Sequence, residues 1–138
     1  FERTKSWTIV VDAGTAITVD VINDNGAFMG GIIAPGMGIF SKALHHYTAL
    51  LPEIPVNKPK NILGKNTEDA ISSGIYWGTV GMVSRFVSML CDELGCQPAI
   101  IATGGDAYLL ASEIRLITAV LPNLALEGIK IAYKKNLP

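Results

Sequence analysis

The chain of 138 residues carries only two cysteines, Cys91 and Cys96, and two histidines, the adjacent pair His45-His46. A structural zinc centre takes about four such ligands at close spacing, so no zinc site is expected and the cysteines read as reduced thiols. Adjacent histidines on a helix point to different sides, which makes them surface or interface residues rather than a metal pair. Charge of either sign is in no excess. The net charge is −1 and the isoelectric point about 6.1, so neither nucleic acid nor an anionic membrane is indicated as a partner. No apolar run approaches the roughly 18 residues that would cross a bilayer. The start, Phe1 to Ser6, is polar and lacks the apolar stretch of a secretory signal. These absences point to a cytoplasmic protein. Repeats and low-complexity segments are lacking as well.

What is present describes a globular chain with a substantial core: 49% hydrophobic and only 17% charged residues, in a length suited to one domain. Trp7–Asp12 is almost continuously apolar, as a strand buried on both faces would be. Ala16–Ile22 alternates, Asn23-Asp24-Asn25-Gly26 is a turn signal, and Ala27–Ala34 returns, so an antiparallel meander is expected. Pro35-Gly36 opens a helix over Gly38–Leu50, and Pro52 to Asn66 reads as an extended surface excursion. A long helix follows over Thr67–Leu94, capped by Asn66 or Thr67, with Glu68 and Asp69 at its positive end. Gly74, Gly78 and Gly81 interrupt it, each costing about 1 kcal/mol relative to alanine. That cost predicts another backbone packed on this face, from a neighbouring helix of the same fold or from a second subunit. Pro98–Thr103 reads as a buried strand, Gly104-Gly105-Asp106 as a turn, and Ala107–Ser112 as a helix. Leu116–Leu121 follows as a short strand and Leu124–Lys135 as a closing amphipathic helix. A strand, helix, strand succession adds parallel strands to the meander. The fold class is therefore α/β: a ribonuclease-H-like half-domain, a three-stranded antiparallel meander extended by parallel strands with helices on the sheet faces.

The stretch Asp12-Ala13-Gly14-Thr15-Ala16 lies between the first two strands. A tight turn with an acid, a glycine and a hydroxyl can hold a phosphate on backbone N–H groups while the carboxylate faces a cation. Gly14 is expected to take positive φ there. Thr18 and Asp20 alternate along the next strand and are expected to share a face only with each other, Asp20 in a structural role.

This turn resembles the second phosphate motif of the actin, sugar-kinase and Hsp70 superfamily. Further segments resemble one family within it, the type III pantothenate kinases, also called the Bvg accessory factor family. Gly30-Gly31-Ile32-Ile33-Ala34-Pro35-Gly36 is similar to its G-G-x-I-x-P-G segment, Thr48-Ala49-Leu50-Leu51-Pro52 to its T-A-x-L-P, and Gly64-Lys65-Asn66-Thr67 to its G-x-N-T. Ala102-Thr103-Gly104-Gly105 resembles its adenosine-side turn, and Leu124-Ala125-Leu126-Glu127-Gly128 its closing L-x-L-x-G.

The resemblance implies transfer of the γ-phosphoryl of ATP to pantothenate, the first step of coenzyme A synthesis. It implies ATP, Mg²⁺ and a monovalent cation, K⁺ or NH₄⁺, as cofactors, and a homodimer. It also implies a second, N-terminal lobe, because a G-x-D-R segment carrying the general base precedes the D-x-G-T-A turn in the family and no G-x-D-R occurs here. Residues 1–138 are thus expected to form a single C-terminal lobe of a two-lobe kinase, inactive alone, with no catalytic base of its own.

Carried over by position, Asp12 holds metal, and Gly14, Thr15, Ala16, Gly104 and Gly105 bind nucleotide. Gly36 and Thr67 lie on the substrate side, Thr67 reaching the pantothenate pocket of the neighbouring subunit. Gly30 and Gly31 with Gly36 keep the backbone thin where substrate or the partner lobe approaches. No role falls to Asp106. A non-catalytic binding or regulatory module of the same fold, or another kinase of the superfamily, remains the alternative.

Overall fold

The computed structural model describes residues 2–135. Its five strands are β1 (Thr8–Ala13), β2 (Ala16–Ile22), β3 (Phe28–Pro35), β4 (Ala99–Thr103) and β5 (Ala119–Val120). They form one sheet in the order β3-β2-β1-β4-β5. The first three pair antiparallel, and β4 adds parallel to β1 and β5 parallel to β4. The helices are α1 (Met37–Tyr47), α2 (Thr67–Leu94), α3 (Ala107–Glu113) and α4 (Leu124–Lys135). The α/β class and the extended meander are as expected.

Alternation sets the two faces. Ile9, Val11 and Ala13 of β1, Ile17, Val19 and Val21 of β2, and Ile100 and Ala102 of β4 form one buried cluster. Val83 and Val87 of α2 and Ala107 and Leu110 of α3 complete it. On the other face Thr8, Val10 and Ile101 line a cavity of about 340 Å³ beneath α4, shared with Leu124, Gly128 and Ile131. The N-terminal turn clamps α4 through a bidentate Arg3–Glu127 pair, Nε to Oε2 at 2.9 Å and Nη2 to Oε1 at 2.6 Å. Lys135 adds a bond to Glu2 at 3.1 Å.

The first half of α2 packs elsewhere. Ile71, Ile75 and Tyr76 join Met37 of α1 in a second cluster against Leu51, Ile54 and Val56. The 52–66 excursion is thereby fastened down. Ser41 Oγ donates to the Ile54 carbonyl at 2.7 Å and accepts its N–H at 2.9 Å, and Ser72 and Ser73 donate to the carbonyls of Asn57 and Ile62. The Tyr76 hydroxyl donates to Glu113 at 2.9 Å, and Lys58 reaches the same carboxylate. Burial first, and then that carboxylate, push the Tyr76 phenol up to about 12.

Three expectations are corrected. α1 ends at Tyr47 rather than Leu50, because extended Thr48 turns its hydroxyl back to the Leu44 carbonyl at 2.6 Å and ends the helical run ahead of Pro52. Only Ala119 and Val120 of the segment 116–121 form a strand, since Ile117 still turns back to the Ile114 carbonyl. The glycines of α2 meet no neighbouring backbone: nothing lies within 4 Å of a Cβ built on Gly74, Gly78 or Gly81. A covering element from the described chain is thus excluded for this face. α2 itself runs over Thr67–Leu94 as expected, and Asn66, not Thr67, is its cap, its side chain accepting from the Asp69 N–H at 2.8 Å.

Candidate functional site

Three chain segments meet at one end of the sheet because of register. β1 and β2 are joined by the tightest connection in the meander, so the Asp12–Ala16 turn sits where β3 also ends, with Ala16 opposite Pro35. β4 runs parallel to β1 with Thr103 beside Asp12, and Gly104 follows at the same edge. Backbone bonds tie the segments together. The Gly14 N–H donates to the Ala16 carbonyl at 3.1 Å and the Gly36 N–H to the Thr15 carbonyl at 3.0 Å. The Asp106 N–H donates to the Ala13 carbonyl at 3.0 Å. Asp12, Gly14, Thr15, Ala16, Gly36, Gly104 and Gly105 are therefore brought together at this end of the sheet.

The glycines differ in why they are glycines. Gly104 has φ +91, and a Cβ there would meet the Ala13 carbonyl at 2.5 Å and the Asp12 carboxylate at 2.6 Å. Gly36 is buried, and a Cβ on it would run into the carbonyl oxygens of Gly14 and Thr15. It supports the turn from beneath. Gly31 is likewise thin for an internal reason, lying against Asp20. Gly14 departs from expectation: its φ is not positive, and the nearest atoms to a Cβ there are at ordinary contact, 3.7 Å and 3.9 Å. What Gly14 contributes is an uncovered backbone beside the Asp12 carboxylate.

Around Asp12 the sheet presents a polar row. Asp12 pairs with Thr18 on one side and Thr103 on the other, and directly paired residues share a face. Thr18 in turn donates to Asp20 at 3.2 Å. The expectation that Thr18 and Asp20 share a face only with each other is thus wrong, because the two-residue turn places Thr18 opposite Asp12. Sequence reasoning also missed Thr103, whose position inside Ala-Thr-Gly-Gly was its signal, and Asp106, the next polar side chain after the glycines.

Among the described residues no backbone carbonyl accepts from the N–H groups of Thr15 or Gly105. Both residues are exposed. Two free donors and a half-buried carboxylate at one end of the sheet suit an anionic ligand together with a cation. No group of three or more His, Cys, Asp or Glu residues assembles among the described residues.

Thr67 lies elsewhere. It borders an apolar groove of about 670 Å³ between α1 and α2, lined by Phe40, Leu44, Ile71 and the open backbone of Gly74 and Gly78.

A family model of type III pantothenate kinases matches residues 1–89. This chain belongs to the type III pantothenate kinase family. It is 41% identical over 128 residues to the type III pantothenate kinase of Dehalococcoides mccartyi, covering 93% of this chain and 50% of that protein. With the type III pantothenate kinase of Anaeromyxobacter dehalogenans it shares 43% identity over 136 residues, 99% of this chain and 54% of the relative. The chain thus spans about half the length of the curated relatives it matches. A solved structure of a Baf family protein from Campylobacter jejuni, described as a transcriptional activator, superposes with a TM-score of 0.67 at 28% identity, covering 95% of this chain and 59% of that one. Within the family match fall the Asp12–Ala16 turn, Gly36, Thr67 and most of α2; Gly104, Gly105 and Asp106 lie beyond it.

Proposed function

We propose that this chain is one lobe of a two-lobe kinase that moves the γ-phosphoryl of ATP to pantothenate in the cytoplasm. The observation that carries the reading is the pair of turns, 12–16 and 104–106, tied together by the Asp106–Ala13 backbone bond and leaving the Thr15 and Gly105 N–H donors free, in a chain of this family. Phosphoryl transfer needs little covalent help and much positioning and charge neutralisation. Thr15 and Gly105 present N–H groups to phosphate oxygens, and Gly14 and Ala16 leave the approach unobstructed. Asp12, with the Thr18 and Thr103 hydroxyls on its face, is a hard oxygen donor set with a single carboxylate. Such a set fits Mg²⁺ or a monovalent ion that keeps water and phosphate oxygens as its remaining ligands. A cation bound there would neutralise charge on the phosphates.

The lobe contributes no general base, so turnover needs the other half of the relatives' length. Gly36 acts on the substrate side by setting the turn. Thr67 acts from the α1/α2 groove, where a second subunit's pocket closes over it in a homodimer. The exposed glycine stripe of α2 supports that assembly.

The test is formation of 4′-phosphopantothenate from ATP by this chain, alone and joined to the N-terminal half of the Dehalococcoides relative, with hexoses as competing acceptors. Pantothenate phosphorylation by the joined protein only is expected; transfer to hexose alone overturns the proposal. The likeness to a Baf family protein described as a transcriptional activator favours a second reading, a non-catalytic binding module. ATP binding without transfer in the joined protein would select it.

A further inference from the structure

We infer that the Asp106 carboxylate is the acceptor for a hydrogen-bond donor on the nucleoside of the phosphate donor; the inference rests on the nucleotide site proposed above.

An aspartate in front of a helix ordinarily caps it from an extended backbone. Asp106 does not. Its backbone sits at φ −96, ψ 8, and its side chain makes no capping bond. No hydrogen bond or ion pair from a described residue reaches its carboxylate, although the residue is half-buried. Burial pushes this carboxyl up from its ordinary value. The chain therefore carries a partly desolvated carboxylate with no protein partner among the described residues, free to accept from a ligand donor.

The backbone also pins the group in place. The Asp106 N–H donates to the Ala13 carbonyl at 3.0 Å, so Asp106 is held beside the residue that follows Asp12. Next to it Gly105 is open, with nothing within 4 Å of a Cβ position, and Ala107 and Leu110 behind it are buried in the core. The Asp12 carboxylate lies against Gly104, and Asp106 follows two residues later with the open Gly105 between them. A negative group there repels phosphate and accepts from a neutral donor. A nucleoside triphosphate seated with its phosphates at Thr15 offers two kinds of donor, the ribose hydroxyls and an exocyclic amine.

The test measures dissociation constants for ATP, 2′-deoxy-ATP, 3′-deoxy-ATP and ITP with wild type, Asp106→Ala and Asp106→Asn, by calorimetric titration of the joined two-lobe protein described above. A deoxy-ATP that binds weakly assigns the ribose; a weak ITP assigns the amine. On wild type at least one analogue is expected to bind about tenfold more weakly than ATP, the usual loss when a charged acceptor goes unpaired. On Asp106→Ala that ratio should fall to about one. Asp106→Asn keeps the shape while removing the desolvated charge, and should melt no lower than wild type at pH 7. The inference is overturned if all analogues bind wild type as ATP does, or if the ratio survives in Asp106→Ala. A lower melting point of Asp106→Asn with intact discrimination would overturn it in favour of a structural role. If ATP binds but Asp106 does not discriminate, this inference alone fails. If no nucleotide binds, the proposed site fails with it.

Discussion

At the scale of the residue, Asp12 and Gly104 make opposite predictions. Asp12 is half-buried, with no described partner for its carboxylate, so its loss removes chemistry and not structure. Asp12→Asn is expected to lower kcat/KM of the joined kinase at least about a hundredfold, roughly 2.7 kcal/mol of transition-state stabilisation, with the melting temperature unchanged. Steady-state kinetics with a Mg²⁺ titration and a thermal melt check both halves, and an unstable variant would contradict the assignment. Gly104 is the reverse. Its φ of +91 and the Ala13 carbonyl against its Cβ position leave no room for a side chain. Gly104→Ala should destabilise by about 1–3 kcal/mol, read from the urea midpoint. An unchanged midpoint would mean the turn relaxes more freely than its bond to Ala13 suggests.

At the scale of the element, α2 divides its work. Its C-terminal half seals the sheet through Val83 and Val87, both fully buried, while its N-terminal half and α1 border the open apolar groove. A helix that carries Gly74, Gly78 and Gly81 with open space at each gives up intrinsic stability on a surface that its own described chain leaves bare. Replacing any one with alanine should raise monomer stability by about 1 kcal/mol, measured by urea unfolding at low protein concentration. Gly78→Trp should instead abolish self-association by filling the space a partner's backbone would occupy, as sedimentation velocity would report. A wild type that stays monomeric at high concentration removes the interface argument and leaves the glycine cost unexplained.

At the scale of the whole molecule, acid should act locally. Glu2 is held below its ordinary value chiefly by Lys5 and Lys135, Glu127 by Arg3, and Glu113 by Lys58 and Tyr76. A carboxyl lowered in the folded state stabilises above its unfolded value and loses that contribution as pH falls through and below it, here 4.5. These contacts join the N-terminal turn to α4 and the 52–66 excursion to α3, and most of their charges are exposed, so each is weak. Hydrogen exchange, corrected for intrinsic rates, should find α4 and residues 2–6 losing protection below pH 4.5 while the β1 and β4 amides keep theirs. Simultaneous loss in the sheet would show that the periphery and the core unfold as one unit.

Much of this was legible along the chain. Apolar period and turn signals together indicated each of the described strands and helices, with α1 and β5 shorter than expected, because alternation and the 3.6-residue stripe follow from backbone geometry alone. α2 and α4 have the expected bounds, since Asn66 and Pro122 punctuate them chemically. The candidate site residues next to glycines were visible for the same reason: tight turns need particular residue types. Register was not legible. That Thr18 faces Asp12, that Gly36 lies under Thr15, and that Asp106 is bonded to Ala13 depend on which strands meet and at what offset, and those are settled by long-range packing of Ile9, Val11 and Val19 against α2. Sequence alone determined the elements and the kinds of turn between them. Tertiary structure decided which turns share a site and which face of α2 is left open, because burial is a property of the assembled core and not of any one segment.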